Sequence, residues 1–222
     1  MRVLITRVDW NAFLERIPAA RERVLMLDYD GTLAPFQVRP ERAVPYPGIA
    51  EALDGIMQDE GTRVVIVSGR RAAEVMALLP LKKQPEIWGG YGWERLLPDG
   101  ALVVQELTGE VQRILRQASD FARGLARDGG RIECKPASVA LHWRGLPALA
   151  VAKIREQALA AWSPLVRGND VELLLFDGGI ELRALGCNKQ HAVKAILSET
   201  AGDSAVAYLG DDITDEDAFA AV

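Results

Sequence analysis

Residues 24–35 read VLMLDYDGTLAP, and this stretch decides the fold. Its first four residues are apolar and predict a β-strand buried on both faces, which is typical of parallel sheets. Asp28 and Asp30 follow the strand directly, and Gly31 lets the chain turn away from it. Ligands of open α/β sheets bind at the carboxyl ends of the strands, so we expect the two aspartates to lie in a binding site.

Apolar runs and amphipathic segments alternate on either side of this stretch. Further apolar runs predict strands at 63–67, 86–90 and 205–210. Helical spacing of apolar residues predicts helices at 9–22, 51–58, 70–80 and 188–200. Strands that alternate with helices predict an α/β fold with a doubly wound, Rossmann-like parallel sheet.

The alternation is interrupted in the middle of the chain. An amphipathic helix at 108–130 precedes strands at 131–135 and 138–144, and a second helix at 146–162 precedes strand-like runs at 165–168, 171–179 and 180–185. This order predicts an α+β module of two similar halves. We therefore expect an inserted cap domain at 101–184 and a core formed by 1–100 and 185–222.

The spacing of the acidic residues indicates a metal site. Asp28 and Asp30 are two residues apart, and carboxylates this close repel each other unless a cation lies between them. A second acidic stretch, which contains Asp211, Asp212 and Asp215, follows the predicted strand 205–210. Oxygen ligands of this kind suit Mg²⁺, so we predict that these five acids form a Mg²⁺ site.

Local structure offers an alternative explanation for part of these acidic stretches. Thr214 with Asp217 resembles a capping box, and Asp215 falls in the first turn of the helix that would follow. Capping does not account for Asp211 and Asp212, which precede that helix. In the first stretch, Thr32 can donate a hydrogen bond back to a carboxylate.

Two weaker signals add positive charge and hydrogen-bond donors. Ser68 follows the strand 63–67, with Arg70 two residues later, and Lys189 opens the predicted helix 188–200. Ser68 and the nearby backbone N–H groups can hold phosphate oxygens. A Ser-Gly-Arg helix start is also a common structural feature, and a lysine in a first turn is slightly unfavourable for the helix dipole.

The composition excludes several classes of protein. The 222 residues carry 26 Lys and Arg against 31 Asp and Glu, a net charge of −5, which is unfavourable for a general nucleic-acid binder. Two cysteines and two histidines without a C-x-x-C pair make a structural zinc site improbable. The chain has no run of 18 apolar residues, so no membrane span is predicted. Its N-terminal stretch lacks the unbroken apolar segment of a secretory signal, so we expect none. We expect a cytoplasmic protein with no nucleic-acid or membrane partner.

Four features follow one another along the chain: D-x-D-G-T, Ser68, Lys189 and G-D-D-x-x-x-D. Together, in this order, they resemble the motifs of the haloacid dehalogenase superfamily of phosphotransferases. The resemblance implies that Asp28 is the nucleophile and Asp30 the general acid and base. It implies that Ser68 and Lys189 bind the phosphoryl group. Mg²⁺ would be held by Asp28, the Asp30 carbonyl and Asp211, with Asp212 or Asp215 supporting it through water.

Finer motifs resemble trehalose-6-phosphate phosphatases with a C2-type cap. They are LDYDGTLAP, VSGR, YGWERLLPDG, IECKPASVALHWR, IELRALGCNK and YLGDDITDEDAF. The resemblance implies that Glu133, Lys135 and Glu181 hold the glucose hydroxyls of a sugar phosphate. A cross-strand salt bridge is the structural alternative for these three residues. Further candidates for substrate binding are Arg70, Glu94, His142 and Arg144. His142 lies on an alternating strand, and a packed structural histidine is the alternative for it.

The motifs depart from the family pattern at two positions that bear on the substrate. Tyr91 stands where the family commonly has histidine, and Gln190 stands where it commonly has glycine. Other glycosyl phosphates, such as mannosyl-3-phosphoglycerate or glucosylglycerol phosphate, therefore stay open as substrates. A non-catalytic sugar-phosphate sensor that partners a trehalose-6-phosphate synthase is a third hypothesis. This fold also normally continues beyond the helix at Val222, so we expect either a longer native chain or an open sheet edge.

Overall fold

The structure is a computed structural model that describes residues 9–59, 61–126, 129–168, 170–176 and 178–222. Its larger sheet has six strands in the order β10-β1-β2-β3-β4-β5. The strands are β1 Glu22–Leu27, β2 Thr62–Val67, β3 Glu86–Gly89, β4 Glu94–Leu96, β5 Leu102–Val104 and β10 Ser204–Leu209. Strands β10, β1, β2 and β3 are parallel, and β4 is antiparallel to β3.

The register of this sheet aligns the ends of three strands. Leu27, the last residue of β1, pairs with Leu209 of β10 and with Ile66 of β2. The residues that follow these strands therefore emerge at one edge of the sheet. Asp28 and Ser68 are among them, so the topology places both acidic motifs and the serine at this edge.

Side chains of β1 and β2 alternate between two hydrophobic clusters, one on each face of the sheet. Leu27 and Ile66 belong to the cluster that contains Leu53, whereas Met26 belongs to the cluster that contains Val193. Helices α2 Ile49–Gln58 and α3 Ala72–Leu78 contribute side chains to the cluster that contains Leu53. Helices α6 Lys189–Glu199 and α7 Glu216–Phe219 contribute to the cluster that contains Val193. The predicted doubly wound α/β class is confirmed.

The smaller sheet has four antiparallel strands in the order β6-β7-β9-β8. They are β6 Arg131–Lys135, β7 Ser138–His142, β8 Val171–Phe176 and β9 Gly179–Ala184, and they contact the helices α4 Gly109–Leu125 and α5 Ala148–Val166. A 3.4 Å contact between Ser119 Oγ and Cys134 Sγ fixes the face of this sheet on which α4 lies.

Contacts divide the chain into two compact units. The first comprises the described residues up to Leu102 together with Asn188–Val222, and the second comprises the described part of Val103–Cys187. The assignment of the second unit as a cap stays a prediction. Among the described helices, none is both long and apolar enough to cross a membrane.

The structure corrects several details. Helix α1 covers only Trp10–Arg16 and ends in a 3₁₀ turn, although Asp9 caps it through a 3.0 Å bond from Ala12 N. Residues 165–166 were expected in a strand but form the end of α5, which continues past Pro164. Strands β4 and β5 were not predicted, because runs of three residues give little periodic signal.

Candidate active site

Asp28 lies at the carboxyl end of β1 and is almost completely buried. Its backbone N–H donates to Leu209 O at 2.9 Å, which continues the pairing of β1 with β10 by one residue and fixes the start of the turn. Burial raises the pKa of Asp28 to about 7, although the ammonium of Lys189 acts in the opposite direction. A carboxylate in this environment is stabilised by any further positive charge that reaches it.

Lys189 is the first residue of α6 and is also buried. Its Nζ lies 2.6 Å from Asp28 Oδ1 and 2.7 Å from Asp215 Oδ1. Burial alone would lower the pKa of Lys189, but the two carboxylates raise it above its ordinary value, so the ammonium is charged. Asn188 caps the helix by accepting a bond from His191 N, which fixes the direction in which the lysine enters the site.

Asp215 is fully buried and accepts four hydrogen bonds. Oδ1 accepts from Lys189 Nζ at 2.7 Å and from the Tyr208 hydroxyl at 2.5 Å. Oδ2 accepts from the backbone N–H groups of Asp211 and Asp212 at 3.2 and 3.1 Å. A carboxylate has about four acceptor positions, so all of them are in use. Asp215 therefore anchors both the lysine and the turn that carries Asp211.

The capping residues of that turn differ from those predicted. Asp212, not Thr214, is the cap: its Oδ1 accepts from Ile213 N, and Asp215 is its capping-box partner instead of Asp217. Asp212 is exposed and lies outside the group of acids that could share an ion. A Cβ on Gly210 would lie 2.4 Å from Asp215 Cγ, so the absence of a side chain at this position lets the turn close.

Asp28, Asp211 and Asp215 each offer one carboxylate oxygen within 4.8 Å of the others. Gly31, at a φ of 92°, makes room for Asp211, because a Cβ there would lie 2.0 Å from Asp211 Oδ2. Thr32 Oγ1 donates to Asp211 Oδ1 at 3.0 Å, so its carboxylate partner belongs to the second acidic stretch and not to the first. Three carboxylates against one ammonium leave negative charge uncompensated, and hard oxygen donors suit Mg²⁺, so these residues fit that ion.

Asp30 faces a different partner from Asp28. Arg70 donates to both of its oxygens, from Nε at 2.6 Å and from a terminal nitrogen at 2.7 Å. The same guanidinium donates to Pro40 O at 2.9 Å and lies 5.6 Å from the centre of the Tyr29 ring. This two-bond geometry is the strong form of an arginine–carboxylate pair. Arg70 was predicted to bind substrate, and in the structure it orients Asp30.

The loop 68–70 is held by the turn at 90–92. Ser68 O accepts from Tyr91 N at 3.0 Å, and Arg70 O accepts from Gly90 N at 2.7 Å. Tyr91 adopts the left-handed region, with a φ of 57°, and its ring lies where a Cβ of Gly69 would stand. A non-glycine residue with positive φ is strained and marks a position at which the surrounding structure fixes the backbone.

Ser68 and Glu94 were both predicted as site residues, and both are buried. Ser68 Oγ accepts from Arg70 N at 3.2 Å, which leaves its hydroxyl hydrogen to be donated elsewhere. Glu94 instead accepts from Ala72 N at 2.8 Å and from Arg71 Nε at 3.1 Å. Its carboxylate therefore holds the start of α3, and the substrate-binding role predicted for it stays untested.

The second unit gathers the three other predicted substrate residues on one face of its sheet. Lys135 Nζ lies 3.7 Å from Glu133 Oε1 and 3.8 Å from Glu181 Oε1. Burial acts to raise the pKa of Glu133, but the hydrogen bond from His142 and the charge of Lys135 outweigh it and lower the pKa to about 2. Glu133 is therefore ionised at neutral pH.

Tyr208 is a site residue that sequence reasoning missed. It lies on β10, in a stretch that was predicted as a buried strand, and was therefore interpreted only as part of the core. Burial and the carboxylate of Asp215 raise its pKa above the ordinary value, so its hydroxyl keeps its proton and donates it. The available signal was chemical, because a buried tyrosine usually places its hydroxyl on a hydrogen-bond partner.

Taken together, a doubly wound parallel sheet with this carboxylate–lysine group at its strand ends defines the haloacid dehalogenase-like class of α/β proteins. Comparison with known families makes the assignment narrower. A profile of the trehalose-phosphatase family matches residues 26–222, and the chain belongs to this family.

Individual relatives agree with this assignment. The chain is 31% identical over 209 residues to a bifunctional trehalose-6-phosphate synthase/phosphatase of Thermoproteus tenax, covering 90% of this chain and 27% of that protein. It is 32% identical over 216 residues to a trehalose-phosphate phosphatase of Mycobacterium leprae, covering 91% and 48%. The chain thus spans less than half the length of either relative.

A solved structure supports the fold. The C-terminal domain of a trehalose-6-phosphate phosphatase of C. albicans aligns with a TM-score of 0.81 and 22% identity. The alignment covers 100% of this chain and 80% of that chain.

Proposed function

We propose that this chain is a Mg²⁺-dependent phosphatase that hydrolyses trehalose 6-phosphate to trehalose and phosphate through a phosphoaspartate at Asp28. The observation that carries the proposal is the ionic group at the strand ends, in which Lys189 lies 2.6 Å from Asp28 and 2.7 Å from Asp215. The choice of trehalose 6-phosphate as the substrate is based on the family and on the name of the relative from Mycobacterium leprae.

In the first step, a carboxylate oxygen of Asp28 attacks phosphorus, and the bond between phosphorus and the sugar oxygen breaks. Asp30 gives its proton to the leaving oxygen, which becomes the sugar hydroxyl. Both oxygens of Asp30 accept from Arg70 in the structure, so Asp30 has to leave this arginine before it can give a proton to the leaving oxygen.

In the second step, Asp30 acts as the base. It takes a proton from water, the water oxygen attacks the phosphorus of the phosphoaspartate, and the bond from phosphorus to the Asp28 oxygen breaks. Phosphate leaves and Asp28 regains its carboxylate.

Lys189 and Ser68 bind the phosphoryl oxygens. The ammonium that now neutralises Asp28 also lowers the repulsion between that carboxylate and the incoming phosphate dianion. When bound, Mg²⁺ would be held by Asp28, the Asp30 carbonyl and Asp211, and it would neutralise charge on the transferring group. Asp212 or Asp215 was expected to assist through water, and for Asp215 the four hydrogen bonds that it accepts favour an anchoring role instead.

The sugar is recognised by Glu133, Lys135 and Glu181. Carboxylates accept hydrogen bonds from neighbouring hydroxyl groups, and an ammonium donates to a sugar oxygen, so this trio suits a glucosyl group. We also propose the cytoplasm as the location and a functional link to a trehalose-6-phosphate synthase. The bifunctional name of the Thermoproteus relative supports that link.

Phosphate release from trehalose 6-phosphate tests the proposal. We expect the wild-type chain to release phosphate in Mg²⁺ and to stop when EDTA is added. The Asp28→Asn variant is expected to be inactive at every Mg²⁺ concentration, whereas Asp203→Asn, an exposed carboxylate substitution, keeps full activity. Binding of the sugar phosphate without turnover by the wild-type chain would instead support the sensor hypothesis. Full activity of Asp28→Asn would exclude the proposed nucleophile.

A further inference from the structure

Strand β7 presents three alternate side chains, Ser138, Ala140 and His142, on the face that carries the sugar-binding trio. The contact between Ser119 and Cys134 places α4 on the opposite face of the sheet. Because side chains alternate along a strand, Glu133 lies on the face that α4 does not cover. The pairing of Glu133 with Ala140, and of Ala140 with Glu181, puts these three residues in one row across β6, β7 and β9.

The side chains on either side of Ala140 each hold one of the two carboxylates. Ser138 Oγ donates to Glu181 Oε1 at 2.6 Å. His142 Nε2 lies 2.7 Å from Glu133 Oε2, and because Glu133 is ionised, this nitrogen carries a proton and donates it. Each donor thus reaches diagonally from β7 to the carboxylate of a neighbouring strand and fixes the direction of that carboxylate.

Ala140 and Lys135 define the space between the two carboxylates. Between Glu133 and Glu181, strand β7 contributes only the methyl group of Ala140 to this row. The Lys135 ammonium lies at 3.7 and 3.8 Å from the two carboxylates, which is an ion-pair distance and longer than a hydrogen bond.

From this arrangement we infer that Ser138 and His142 are positioning residues for sugar recognition, and that Ala140 is the floor of the glucosyl subsite. Ser138 directs Glu181, and His142 directs Glu133, so that one oxygen of each carboxylate is engaged and the other accepts from a sugar hydroxyl. The inference rests on the proposed function, because it assigns supporting residues to the same sugar site.

Steady-state kinetics with two substrates test the inference. One substrate is trehalose 6-phosphate, and the other is p-nitrophenyl phosphate, which has no sugar hydroxyls. We expect Ser138→Ala and His142→Phe each to raise KM for the sugar phosphate at least roughly tenfold, the lower end of the value of one hydrogen bond to a charged group. Neither variant should change kcat/KM for p-nitrophenyl phosphate. His142→Gln, which keeps a donor, is expected to restore much of the sugar selectivity.

Two further variants separate this role from a structural one. Ala140→Val raises the floor and is expected to lower kcat/KM for trehalose 6-phosphate roughly tenfold without affecting the small substrate. Val139→Ala, on the helix-covered face of the same strand, is the matched control. It is expected to lower the melting temperature while the ratio of the two kcat/KM values stays that of the wild type.

The outcomes distinguish this inference from the proposed function. Equal losses on both substrates, or a Val139→Ala variant with the same selective loss, would overturn the positioning roles and leave the proposed function intact. If another glycosyl phosphate is the preferred substrate and the selective loss appears on it, the substrate assignment is wrong and the inference holds. A wild-type chain that prefers no glycosyl phosphate to p-nitrophenyl phosphate would overturn both.

Discussion

Asp215 has two possible roles in the acidic group: it either anchors Lys189 and the turn at 211–212, or it is a ligand of the metal. Substitution of Asp215 distinguishes these roles. In Asp215→Asn the amide keeps one acceptor oxygen, but its NH₂ group faces two of the four donors that now reach the carboxylate. Hydrogen bonds to a charged group contribute about 1.5–3 kcal/mol each. Relief of the repulsion from Asp28 offsets part of that loss, so we expect the free energy of unfolding to fall by about 3–5 kcal/mol.

Urea denaturation at neutral pH in EDTA, followed by circular dichroism, measures this difference without metal. Asp211→Asn is the matched control, because Asp211 is exposed and belongs to the same acidic group. Its substitution is expected to change metal-free stability by less than about 1 kcal/mol and to abolish the stabilisation by added Mg²⁺. If Asp215→Asn is as stable as the wild type in EDTA and loses only the response to Mg²⁺, Asp215 is a metal ligand and the anchoring account is wrong.

Three other substitutions test the remaining parts of the site. Asp28 has a pKa raised to about 7 by burial, so the metal-free chain should lose stability as the pH rises from 5 to 8; urea titrations should show this slope in the wild type and a flatter one in Asp28→Asn. Gly31→Ala should displace Asp211 and raise the Mg²⁺ concentration that supports half-maximal activity at least roughly tenfold; an unchanged Mg²⁺ titration would refute the role of this glycine. Arg70→Lys cannot donate the paired bonds to Asp30 and should lower kcat more than it raises KM; a change in KM alone would mean that Arg70 binds the sugar phosphate directly.

The periodicity of the sequence predicted most of the fold because the longer elements carry strong patterns. Strand β1 contains a continuous apolar run, and helix α4 repeats its apolar residues at helical spacing. The strand begins two residues before the predicted run, and α4 ends at Leu125, five residues before the predicted end. The end of α5 was not, because Leu165 and Val166 next to Pro164 look like an apolar run after a helix breaker. A proline near the last turn removes few helical hydrogen bonds, so the helix continues.

The candidate active-site group was predictable for a related reason, since its residues directly follow strands or open a helix. Parallel strands bring such positions to one edge, and Asp28, Lys189 and Asp211 indeed lie there. The pattern does not give the direction of a side chain. It therefore did not reveal that Arg70 holds Asp30 or that Asp215 receives four donors. The Arg70–Asp30 contact joins segments that are 40 residues apart in the chain. The bond from Asp211 N to Asp215 lies within one tight turn.

The values of kcat/KM for a panel of glycosyl phosphates in Mg²⁺ are the measurement that tests the central proposal most directly. The panel contains trehalose 6-phosphate, mannosyl-3-phosphoglycerate, glucosylglycerol phosphate and p-nitrophenyl phosphate. We expect trehalose 6-phosphate to have the highest value and its turnover to disappear in Asp28→Asn. A higher value for another glycosyl phosphate, or turnover that persists in Asp28→Asn, would contradict the proposed substrate or the proposed nucleophile, respectively.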